Sequence, residues 1–72
     1  MFNVSTLASR VRARRAELDL TQTEVAARAS IAPSCLCSIE RAKQVPGVDT
    51  LCAIATALGV TPDWLIGWDK AA

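Results

Sequence analysis

Apolar residues recur along the chain at helical spacing. No stretch alternates apolar and polar positions as a half-buried strand would, and there is no Asn-Gly turn. The pattern predicts five helices. The first spans 6–18, where Leu7, Val11 and Leu18 fall within about 40° of one another on a helical wheel. Arg14 and Arg15 flank that stripe, which sets one of them against the interior; Arg10 and Arg12 lie further round.

The second helix, 22–29, is announced by Thr21-Gln22-Thr23-Glu24, a capping box in which Thr21 accepts from the backbone N–H of Glu24 and Glu24 reaches back. Val25, Ala26 and Ala29 form its apolar side, and its alanines allow a neighbouring helix to approach closely. Ser30-Ile31-Ala32 interrupts the period. The third helix, 33–41, opens on Pro33, whose missing N–H costs nothing in a first turn. Leu36, Ile39 and Cys35 define its buried side, with Ser34, Ser38 and Arg41 turned away and Cys37 on the shoulder.

After a loop ending in Pro46-Gly47, the fourth helix, 48–58, carries Leu51, Ile54, Ala55 and Leu58 as its stripe and stops at Gly59. Thr61-Pro62-Asp63 supplies a cap, a first-turn proline and an acid near the positive end of a short fifth helix, 62–66. There is no internal repeat.

Length and charge narrow the reading. At 72 residues the chain makes one small domain, 1–72, with a marginal core. Its net charge is only +1, but residues 1–45 hold seven Lys/Arg against four Asp/Glu, whereas 46–72 hold one against three. Such a basic front suits contact with an anion. The first twenty residues contain four arginines and no apolar leader segment, and the three cysteines are an odd number. Both features predict free thiols in a cytoplasmic setting. Of these thiols, Cys35 is expected to be buried, Cys52 to pack at the core margin and Cys37 to be exposed.

The longest apolar run is about half of what a bilayer requires, so no membrane association is expected. With no histidine, a metal site is not expected. Nor is a cofactor, because no glycine-rich phosphate loop is present. An enzyme is equally not expected, since the chain shows no nucleophile–base pair.

Five short helices with a tight bend between the second and third describe a helix-turn-helix. The motifs LTQTEVAARASI, LCSIERAK and TLCAIATALGVTPDWLIG together resemble the DNA-binding domains of lambdoid phage repressors and Cro proteins, the XRE-like family, over nearly the whole chain. The resemblance implies an all-α, five-helix, lambda-repressor-like fold. It also implies a bacterial or phage-encoded regulator that binds double-stranded DNA with its third helix in the major groove.

Position by position, the resemblance implies that Gln22, with Thr23 beside it, meets a DNA phosphate at a helix N-terminus. Arg41, Lys43 and Gln44 would meet phosphates beyond the third helix, and Arg10 is a further candidate. Arg15 would lie inside and pair with Glu40. Ala32, Pro33, Ser34 and Ser38 would face the bases, with Cys37 near them. Trp64 would close the core.

The departures are specific. The turn glycine is Ser30, which must then adopt a left-handed conformation at some cost. The cap of the third helix is Ala32, which lacks a side-chain acceptor worth about 1 kcal/mol. The glycine after the third helix is Ala42. The base-facing side chains are short, and none can make a bidentate contact with guanine or adenine.

The implied function is a sequence-specific transcriptional regulator, a repressor that binds a palindromic operator as a homodimer. Trp64, Ile66 and Trp68 are the expected dimer interface, because Trp68 lies beyond the last helix where one domain can cover it only in part. The alternative is a protein-interaction module, antitoxin-like or a regulatory subunit, that keeps the fold without base reading.

Overall fold

The computed structural model describes residues 3–68. Among them are five α-helices and no strand: α1 (Val4–Glu17), α2 (Gln22–Ala29), α3 (Pro33–Glu40), α4 (Val48–Leu58) and α5 (Pro62–Ile66). α2 packs on α3 and α4, and α1 on α3 and α5. Their apolar stripes meet in one core of Leu7, Val11, Val25, Ala26, Leu36, Ile39, Ile54, Leu58 and Leu65, all fully buried. Burying side chains of this size contributes about 1.5–3 kcal/mol each for the larger ones. In so short a chain, α2 and α3 therefore hold their relative angle by sharing residues of this single core.

α1 starts earlier than the periodicity predicts. Asn3 caps it, its Oδ1 accepting from the N–H of Ser5 at 2.8 Å. The helix also ends one residue early, at Glu17, so Leu18 leaves the stripe and is 36% exposed. α3 likewise ends at Glu40, with Arg41 just beyond it.

All five helices finish in the same way. A residue with positive φ is followed by one whose N–H returns to the carbonyl five residues back: Leu20 to Arg15, Ile31 to Ala26, Lys43 to Ser38, Val60 to Ala55 and Trp68 to Asp63, at 2.9–3.1 Å. This closure satisfies carbonyls that the helix leaves open. Leu20, Ile31 and Val60 also pack against the core, so these three closures are reinforced by apolar contact. The left-handed residues are Asp19, Ser30, Ala42, Gly59 and Gly67, and only two of them are glycine. At Gly67 a Cβ would lie 2.9 Å from Cγ2 of Thr6, so α5 docks on α1 at a distance only glycine allows.

The thiols differ from expectation. Cys52 is the exposed one; Cys35 and Cys37 are half-buried, and all three are free. Cys52 lies about 160° round α4 from Ile54, on the side away from the core. No helix among the described residues is long and apolar enough to cross a membrane.

Candidate nucleic-acid interface

The bend between α2 and α3 is only three residues long. Ser30 takes φ 57° and ψ 42°, reversing the chain, and Ala32 is extended at the start of α3 without a side-chain cap bond. At the other end of α2 the capping box is complete: the N–H of Glu24 donates to Oγ1 of Thr21 at 3.1 Å, and the N–H of Thr21 donates to Oε1 of Glu24 at 2.8 Å. The Thr21 N–H on the carboxylate, and then the Thr21 hydroxyl, hold the Glu24 carboxyl below its usual pKa. The box also leaves the first-turn N–H groups of Gln22 and Thr23, which no intrahelical carbonyl can reach.

Ala32, Pro33 and Ser34 are exposed at the start of α3, with Cys37 and Ser38 half-buried one turn on. Arg41, Lys43 and Gln44 are exposed where the chain leaves α3. Gln44 leans back, its Nε2 donating weakly to Sγ of Cys35 at 3.5 Å. The start of α3 is thus exposed, and at its far end the α2 N-terminus, through Gln22 and Glu40, and the cationic exit loop come together.

The arginines of α1 do not form the anion-facing surface that the charge distribution suggests. Nη1 of Arg10 donates to the carbonyl of Trp64 at 2.6 Å, and its guanidinium lies 4.9 Å from the centroid of the Trp64 ring. Arg10, the further phosphate candidate, is thus engaged with α5. Arg12 donates to the carbonyl of Glu40, and Nε of Arg14 to the carbonyl of Leu58 at 2.9 Å. Each of these cations sits at the C-terminal, negative end of another helix, where positive charge stabilises the helix dipole. α1 thus ties down the ends of α3, α4 and α5. Helical periodicity gave only the azimuth of these arginines, not the reach of a guanidinium along the axis.

Arg15 turns inward. Its Nε lies 2.7 Å from Oε2 of Glu40 and its Nη2 3.1 Å from Oε1, a bidentate pair; Nη1 donates to the carbonyl of Leu20 at 3.0 Å. Glu40 is 2% exposed, the one charged residue of the buried set. The carboxylate raises the Arg15 pKa further, so the guanidinium carries its charge at any working pH. Oε1 of Glu40 has a second donor, Nε2 of Gln22 at 2.9 Å. The sequence did not reveal this link, because nothing in the spacing of residues 22 and 40 implies contact.

Trp64 and Ile66 are half-buried, and Trp68 is 54% exposed, beside α5. No group of three or more His, Cys, Asp or Glu among the described residues could hold a metal ion.

The helix-turn-helix family profile matches residues 11–65. The immunity repressor protein of Bacillus phage phi105 is 39% identical over 62 residues, covering 86% of this chain and 43% of the relative. The chain thus spans less than half the length of that repressor. Among solved structures, the P22 c2 repressor in complex with a synthetic operator superposes with a TM-score of 0.83 at 28% identity, covering 88% of this chain and 96% of that one. A restriction-modification controller protein from Aeromonas hydrophila shares the fold, with a TM-score of 0.82 at 24% identity, over 86% of this chain and 94% of the other. Two of these relatives are repressors by name. The α2–bend–α3 unit lies inside the matched span, and the chain belongs to the helix-turn-helix family of the XRE type.

Proposed function

We propose that this domain is the DNA-binding part of a transcriptional repressor, two copies of which sit on a palindromic operator with α3 in the major groove. The observation that carries this reading is the exposed start of α3, on a unit that also exposes the cations Arg41 and Lys43 and a helix N-terminus with open N–H groups. Those groups can meet phosphates while the start of α3 enters a groove. The P22 c2 repressor superposes over nearly its whole length in a complex with operator DNA, which supports the same reading.

Contacts divide by role. Gln22, the N–H groups of Gln22 and Thr23, Arg41, Lys43 and Gln44 meet phosphates and fix register. Ala32, Pro33 and the Cys37 thiol offer apolar contact to thymine methyls, whereas Ser34 and Ser38 bond weakly discriminating base edges. Specificity then comes from thymine contacts, half-site spacing and the energy of bending the DNA between half-sites. The half-buried Trp64 and Ile66 and the exposed Trp68 are the surface through which two copies meet.

The short side chains of the α3 face favour a second reading, in which the domain binds a protein partner and not DNA. Duplex binding measured at several salt concentrations separates the two. With Arg41 and Lys43 from each of two copies, log K against log salt should fall with a slope of about −4. Failure of mixed-sequence and selected duplexes alike to bind at low salt would leave the protein-partner reading.

A further inference from the structure

Glu40 is buried, 2% exposed, yet three donors from two other helices converge on its carboxylate: Nε and Nη2 of Arg15 and Nε2 of the half-buried Gln22. We propose that Glu40 is a positioning residue for DNA binding, which holds the Gln22 carboxamide in the orientation that meets a phosphate. The inference rests on the reading that the α2 N-terminus meets the DNA backbone.

The chemistry is directional. A carboxylate only accepts, so the Gln22 carboxamide must turn Nε2, and not its oxygen, toward Glu40. The group is planar. Fixing one N–H therefore fixes the second N–H and the oxygen, and removes rotamer freedom that a glutamine otherwise loses on binding. Glu40 is itself immobile. Its carboxylate is gripped in bidentate fashion by Arg15, and its backbone carbonyl accepts from Arg12. The end of the reading helix and the phosphate anchor of α2 are thus joined through one buried anion. An interior that needed only the Arg15 charge neutralised would not require Gln22.

A double-mutant cycle on the full chain tests the proposal, with mixed-sequence duplex DNA at low salt as the probe and circular dichroism to check folding. Gln22→Ala should weaken binding about tenfold, the scale of one hydrogen bond to a charged group. Glu40→Gln, the same shape with a neutral amide, should weaken it by several-fold. The double variant should bind within about twofold of Gln22→Ala alone, because Glu40 acts through Gln22.

Multiplicative losses, or unchanged binding by Glu40→Gln while Gln22→Ala is impaired, would overturn the proposal. If the parent itself does not bind the duplex, the DNA reading fails and the proposal with it. Should Glu40→Gln not fold, nuclear magnetic resonance on the parent decides. One Gln22 carboxamide proton should be shifted downfield and exchange slowly without DNA, and the other should move on titration with duplex. Two protons with the shifts of a freely rotating side chain would contradict the inference.

Discussion

Arg15 and Glu40 are buried unequally, and the consequence is measurable. The carboxylate is 2% exposed, whereas the Arg15 side chain keeps 24% of its surface in water. Arg15→Ala strands a buried anion with Gln22 as its remaining side-chain donor and should cost about 3–5 kcal/mol. Glu40→Ala leaves a cation that water can still reach, and should cost about 2 kcal/mol. Urea denaturation of the two variants gives the order directly; equal losses would mean that the burial asymmetry has no energetic weight. Backbone strain acts at the same scale. Ser30 and Ala42 hold φ of 57° and 58° where glycine would be unstrained. Ala42→Gly should gain about 1 kcal/mol, partly offset by the added freedom of the unfolded chain. Its melting temperature should rise by a few degrees, by roughly 4 °C or more for each kcal/mol gained. A lower melting temperature would show that Ala42 is not strained. The Ser30 conformation was expected from the family resemblance, which has glycine at that turn. That of Asp19 was not, because the residue follows a polar turn with no glycine to flag it.

Among the elements, α2 was the most legible, because its capping box is written in side chains that can bond only in one register. The box also makes a pH prediction. Glu24 is held below its usual value of 4.5 by bonds to the Thr21 N–H and hydroxyl. A folded-state pKa that is depressed stabilises the fold above the unfolded value, and the contribution is lost as pH falls through the folded one. Glu24→Gln keeps the hydrogen bonds but not the charge. The stability gap between parent and variant should be constant near neutrality and close below about pH 4.5. A gap that persists into strong acid would show that the charge contributes nothing. α1 was read least well. Its start depends on Asn3 as the cap and on Val4, one turn before Leu7 on the same stripe, which the predicted start at residue 6 leaves out. Leu18 fits the wheel yet falls beyond the last turn. The wheel placed Arg10 and Arg12 away from the apolar stripe and Arg14 beside it, and all three reach the carbonyl ends of α3, α4 and α5. Sequence order cannot show which helix ends lie within reach of a long side chain.

At the scale of the whole molecule, that internal use of arginine leaves a modest cationic surface, with Arg41 and Lys43 at the exit of α3 and Arg28 on α2 among its exposed cations. Binding that relies on so few charges gains from pairing two copies. Trp68, 54% exposed beside the half-buried Trp64 and Ile66, offers the apolar area for it. Trp68→Ala should weaken self-association in sedimentation experiments by about tenfold or more, the usual scale for a large aromatic at an interface. Equal association constants would remove Trp68 from the interface. The fold was legible because caps and apolar spacing agree along nearly all of the chain; the surface was less so, because exposure and reach are set by packing between helices. The central claim is that α3 enters the major groove and reads it sparingly. Selection of binding sites from random duplex DNA tests this most directly, with parent and Ser38→Ala run side by side. The account predicts paired half-sites about one helical turn apart, rich in A·T pairs, with base preferences only slightly altered by Ser38→Ala. An invariant guanine in each half-site, lost in the Ser38→Ala selection, would contradict sparse reading, and no enrichment at all would contradict sequence-specific binding.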